Sequence, residues 1–140
     1  DFPYQLVQTS TMLVMLQDLN FPGWRQVFLD GRAHPDPTMW NPAYFGHSTG
    51  AWEGDTLVVD SVGFNDLSSL QGAPHTEQLR VIERYRRPDA GHLDVDIAVE
   101  DPGVLSGVWK RHVSATLGAK DEQIMEYLCE NNVFPQHLVK

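Results

Sequence analysis

The 140 residues contain one cysteine, Cys129, and that scarcity bounds the chemistry first. A lone thiol excludes an internal disulfide and any metal site built from several thiolates. Basic residues are few, 10 Lys and Arg against 19 Asp and Glu, which gives a formal charge of −9. Phosphate recognition needs a basic face, so no nucleic acid is expected as the main partner, and docking on anionic membranes is disfavoured. No apolar run approaches the roughly 18 residues of a membrane span, so no membrane insertion is expected. No His-x-His pair is present, and neither a metal nor another cofactor is expected. A helical 3.6-residue period never lasts beyond a turn or two, and there is no internal repeat or low-complexity segment. Asp1 in place of Met is what a processed chain would show.

What remains is the composition of an ordinary folded protein, 41% apolar and 21% charged, with enough residues for one domain over 1–140. Its apolar residues alternate. Residues 4–9 and 11–17 read as two strands or one long bent strand, and 24–29 as another, entered through the turn at Pro22-Gly23 and left at Asp30-Gly31. Residues 32–44, with Pro35, Pro37, Pro42, Trp40 and Tyr44, read as a long ordered loop of the kind that forms lids or rims. Residues 46–64 read as a hairpin around Glu53-Gly54-Asp55, and 65–74 as a polar connection. In residues 79–87, Leu79, Val81, Glu83 and Tyr85 share one face and Arg80, Ile82, Arg84 and Arg86 the other. Leu93, Val95, Ile97 and Val99 alternate just as cleanly, and strands follow at 108–117 and 123–130. About eight or nine strands with tight turns predict an all-β, single-domain antiparallel β-barrel, lipocalin-like or related, with a β-sandwich as the alternative.

Three carboxylates interrupt apolar strand faces: Asp60 between Val58 and Val62, Glu83 between Val81 and Tyr85, and Glu126 between Ile124 and Leu128. Glu130 beside Leu128 repeats the pattern. An unpaired buried carboxylate costs several kcal/mol, so such a group pairs, stays wet or neutralises. Two or three of them meeting in a barrel lumen would serve acid–base chemistry. The plainer alternative is that they face solvent or pair with Arg80, Arg84, Arg86 and Arg111. His34, Trp40, Tyr44, His75 and Tyr85 are the candidate ligand-binding residues, at a mouth where aromatic faces stack on a planar apolar molecule. His75 and Glu77 have a spacing usable for a metal, and His112 is a candidate proton carrier, but a turn or surface role is the simpler reading of each. Gly46-His47-Ser48-Thr49-Gly50 matches the nucleophile-elbow pattern in letters only, since a strand follows it where that motif needs a helix. Asp94, Asp96, Glu100 and Asp101 read as a solvated acidic face and Cys129 as an inert core thiol.

The runs Arg25 to Pro35, Trp52-Glu53-Gly54-Asp55-Thr56-Leu57-Val58-Val59-Asp60, Glu83 to Asp89 and Glu126 to Asn131 resemble a family of small exported bacterial β-rich proteins of no assigned function. The resemblance implies a periplasmic or secreted protein and assigns no catalytic residue. A fold-level analogy is to small exported β-barrels that demethylate phenazines such as pyocyanin. The expected function is therefore a small β-barrel enzyme that acts on a planar or apolar small molecule, such as a phenazine-like aromatic, by carboxylate acid–base chemistry without a metal. Asp60, Glu83 and Glu126 would be its proton carriers. The alternatives are a non-catalytic small-ligand carrier of lipocalin type and a homo-oligomeric structural module.

Overall fold

Period-2 alternation and β-branched residues recur along the chain, and in a computed structural model they produce ten strands among the described residues. The structure describes residues 3–18, 22–70 and 72–124. Its ten strands are β1 (Tyr4–Gln8), β2 (Met12–Asp18), β3 (Pro22–Phe28), β4 (His47–Glu53), β5 (Thr56–Val62), β6 (Ser69–Leu70), β7 (Ala73–Pro74), β8 (Arg80–Asp89), β9 (His92–Glu100) and β10 (Trp109–Thr116). The one helical element among the described residues is a 3-10 turn, Pro37–Met39. Eight strands form one sheet in the order β1-β2-β3-β4-β5-β8-β9-β10, curled into a half-barrel, and β6 and β7 form a separate small hairpin. The all-β single domain is as expected. The strand foreseen over residues 123–130 falls mostly outside the described residues, and Glu126, Cys129 and Glu130 lie there with it.

The sheet is a meander with one exception. β3 and β4 pair in parallel, through Val27 with Ser48 and Phe28 with Thr49. Parallel neighbours cannot be joined by a tight turn and need a crossover of a dozen or more residues. This is why the Pro-rich segment between Phe28 and His47 is so long: it carries the chain back to the start of a parallel partner. At the other extreme, β4 and β5 are joined by Gly54-Asp55 alone, with Glu53 paired to Thr56. Gly54 has φ of 64°, a conformation that glycine adopts without strain and that two-residue hairpin turns demand. Pro88 does not end β8. It sits where two residues, Arg87 and Pro88, face one on β9, a bulge that spares the ladder the missing N–H.

The register assigns every side chain to a face, since paired residues share one. The inner face holds Leu13, Met15, Val27, Leu57, Val59, Val81, Val95 and Val99, all buried. Leu13, Met15, Val27, Leu57 and Val59 form one cluster, and Val81 and Val99 join Phe64 and Leu79 in a second. Each such side chain contributes about 1.5–3 kcal/mol when fully removed from water. Gly50, paired with Val59, lets the first cluster close: a Cβ there would lie 2.8 Å from Leu29 and 2.9 Å from Val27. The outer face of β8, β9 and β10 is instead a ladder of charge, Arg80, Arg84, Arg86, Asp94, Asp96, Lys110 and His112.

Candidate functional site

Two groups of titratable side chains stand out, one on each face of the sheet. The first is built where the crossover loop lies over the outer side of β4 and β5. Alternation along β4 sends Ser48 inward, where it is 1% exposed and shares a 2.7 Å hydrogen bond with Ser61, and sends His47 and Thr49 outward. Thr49 is paired with Asp60, so His47, Thr49 and Asp60 share the outer face. The loop adds His34. Its Nδ1 is 2.8 Å from the Nδ1 of His47, and its Nε2 is 3.7 Å from Asp60 Oδ2 and 3.4 Å from Thr49 Oγ1. Arg80, from β8, grips Asp60 with two hydrogen bonds of 3.0 and 2.7 Å.

The electrostatics of this group are ordered. Burial pushes the Asp60 carboxyl up, but the hydrogen bonds and charge of Arg80, with help from His34, outweigh it and hold the carboxyl below its ordinary range. Burial, then the charges of His34 and Arg32, lower the pKa of His47. Phe28 stacks on the His47 ring at 5.3 Å and carries the Arg32 guanidinium 3.9 Å above its own ring. A fixed Asp60 anion favours the hydrogen of His34 on Nε2, which leaves His34 Nδ1 to accept from His47 Nδ1–H. The Nε2 of His47 then keeps its lone pair, and it makes no hydrogen bond among the described residues. The His47 ring also lines a hollow of about 210 Å³, with Pro35, Met39, Trp40, Asn41, Gly46 and Gly63. Trp40 is fixed there by a 2.6 Å hydrogen bond from its Nε1 to the Pro35 carbonyl and by Gly63, whose missing Cβ would lie 3.3 Å from the indole.

The second group lies inside the curl. Glu83, 8% exposed, forms an ion pair with Arg25 of β3, although β4 and β5 lie between their strands in the sheet. Tyr85, two residues on and on the same face, donates a 2.8 Å hydrogen bond to Glu83. Burial drives the Tyr85 hydroxyl pKa far up, and the charge of Glu83 adds to it, so Tyr85 is a permanent donor here. Arg25 is held charged: burial works against it, but the charge of Glu83 and the hydrogen bond that Arg25 donates to it prevail.

The structure therefore corrects the picture of carboxylates converging in a lumen. Asp60 and Glu83 occupy opposite faces, because Asp60 is paired with Ile82 and Glu83 with Val59. Asp60 shares a face with Val58 and Val62 as expected, yet that face is the half-exposed outer one. It is paired and ionised, with no elevation of its pKa. Glu126 lies outside the described residues. Of the ligand-binding candidates, His34 meets Asp60, Trp40 walls the hollow, and Tyr85 bonds Glu83. Tyr44 is 59% exposed, and His75 is buried elsewhere against Ser68 and Phe64. His112 is exposed on the charged ladder and bonds Asp96 at 2.7 Å. Asp101 does not join Asp94 and Asp96 but is buried in a turn. No group of three or more His, Cys, Asp or Glu among the described residues is arranged to hold a metal ion.

Two partners escape a reading of the sequence. His47 is masked by the Gly-x-Ser-x-Gly letters around it, although the hairpin register alone places it two residues from the partner of Asp60. Arg25 is the one basic residue on the Val27 face of β3, and an inward-facing arginine requires an inward-facing acid. No family model matches the chain, and no curated protein or solved structure matches it.

Proposed function

We propose that the protein is an acid–base enzyme acting on a small planar or apolar molecule held in the hollow beside His47. The observation that carries this reading is the His34–His47 contact of 2.8 Å with Asp60 behind His34. A neutral imidazole with a tethered Nδ1–H and an open Nε2 is a general base whose developing charge a neighbouring imidazole and an anion stabilise. In this reading His47 takes a proton from the ligand, His34 supports the resulting imidazolium, and Asp60 orients His34 and is itself held ionised by Arg80. Trp40 and Met39 supply apolar contact and Asn41 a polar one, the usual division of labour in a small-molecule site. Asp60 thus keeps a role in proton transfer, as an orienting anion.

The test is turnover of a panel of planar aromatic compounds carrying an acidic O–H or C–H. H47Q should lower the rate on any accepted compound by about 10²-fold or more. Y44A, which alters an exposed side chain outside the hollow, should keep the wild-type rate. Equal rates in H47Q and wild type would overturn the assignment.

A second reading is a non-catalytic carrier of small ligands. It is favoured by the pairing of both described candidate carboxylates with arginines, Asp60 with Arg80 and Glu83 with Arg25. It predicts binding of panel compounds without chemical change.

A further inference from the structure

A third polar cluster belongs to neither face of the sheet. The small hairpin of β6 and β7 pairs Ser69 with Pro74 and Leu70 with Ala73. Extending that register by one residue sets Ser68 opposite His75, and their side chains meet there at 3.0 Å, Ser68 Oγ to His75 Nε2. The other ring nitrogen of His75 faces the Thr76 carbonyl at 3.2 Å. A carbonyl only accepts, so Nδ1 carries the hydrogen, and in the neutral ring Nε2 is the acceptor. Ser68 therefore donates its hydroxyl hydrogen to His75.

The orientation of His75 is itself enforced. Asp101, 1% exposed, accepts 2.7 Å hydrogen bonds from both Thr76 N and Thr76 Oγ1 and a 3.0 Å bond from Gly103 N. This fixes the backbone that presents the Thr76 carbonyl to His75. His75 is 8% exposed, with Phe64 edge-on at 6.3 Å, so its ring has little freedom. Ser68 is only half-buried, between Leu67, 72% exposed, and the exposed Ser69. A half-buried serine whose hydroxyl is hydrogen-bonded to a base that a third group orients is the arrangement of an activated nucleophile.

We propose that Ser68 and His75 form a nucleophilic dyad that accepts acyl groups from short-chain activated esters. Ser68 Oγ attacks the ester carbonyl carbon, and its proton passes to His75 Nε2. The carbonyl–oxygen bond to the leaving group breaks, and His75 returns the proton to the departing alcohol or phenol. The product is an O-acyl ester on Ser68, which water hydrolyses with His75 again as base. Asp101 is a positioning residue that acts through Thr76. The exposed Leu67 beside Ser68 offers an apolar surface to a short acyl chain.

The experiment uses p-nitrophenyl acetate, with intact-mass and peptide mass spectrometry to locate the adduct. On acid quench at short times a single acetyl group on Ser68 is expected, with a burst of p-nitrophenolate equal to it before slower turnover. S68A should show none, S69A should be acetylated as wild type is, and S68C should be acetylated as a thioester. H75Q should slow acylation by about tenfold or more at unchanged secondary structure. If H75Q fails to fold, S68C and S69A decide: acetylation that follows position 68 supports the dyad. Absence of an adduct, or an adduct at Ser69, a lysine or His47, would overturn it. The outcome is independent of turnover at His47, which leaves no covalent mark on Ser68.

Discussion

Asp60 and Glu83 sit one register step apart in adjacent strands, each held by an arginine, yet they live in different solvents. Asp60 faces outward and pairs with Arg80, whose side chain is 46% exposed. Glu83 faces inward, and its ion pair with Arg25 leaves each side chain 11% exposed. A pair in water gains little, because solvent and salt screen it and two side chains must be ordered. A pair in the interior feels strong attraction but has lost its hydration, so the net value of the intact pair is small while the cost of breaking it is large. The pleat alone separates the two cases. One residue of shift along a strand exchanges a switchable, hydrated carboxylate for a structural one.

The largest effect should come from breaking the inner pair. E83Q leaves Arg25 charged, buried and without its anion, and should destabilise the fold by about 3–5 kcal/mol, read as a lower denaturant midpoint. R25M combined with E83L removes both charges at similar volume. That double variant should recover most of the loss, because the desolvation cost disappears with the attraction. A double variant as unstable as E83Q would mean that the pair is worth more than its desolvation, and the contrast between the two faces would then be one of degree.

Most of the fold is legible in the sequence because this chain's alternation is clean. The faces of β8 and β9 follow from period 2 alone, and Glu83, Val81 and Tyr85 do share one. Asp60 shows where that reasoning stops. β5 is apolar on both faces, Leu57 and Val59 against Val58 and Val62, so alternation says which residues go together but not which set faces the core. The parallel pairing of β3 with β4 is illegible for a different reason. Nothing in a loop's composition states that its ends must lie side by side, and a Pro-rich crossover reads the same as a lid. The His34–His47 contact depends on that crossover. Its members are separated by 13 positions and meet only because the chain returns to the parallel strand. Ser68 and His75 need only the register of a two-residue hairpin, too short to show any period.

The outer pair should respond weakly and conditionally. D60N should cost about 1 kcal/mol or less near neutral pH at low salt, measured by chemical denaturation. Raising the ionic strength to about 1 M shortens the screening length to about 3 Å, so the gap between D60N and wild type should shrink, while that between E83Q and wild type should not.

The pH arm of the same comparison has a definite sign. The carboxyl of Asp60 is lowered in the folded protein relative to the ordinary Asp value of about 3.9 in the unfolded chain. A depressed carboxyl contributes stability that is fully present above the unfolded value and disappears as pH falls through the folded one. The difference between wild type and D60N should therefore be constant from neutral pH down to about 5 and close below about 4, because a protonated Asp60 and the amide that replaces it are then both uncharged. A gap that persisted at about pH 2 would mean that D60N acts through packing or the hydrogen bonds of Arg80, and the outer carboxylate would then resemble the inner one more than its exposure implies.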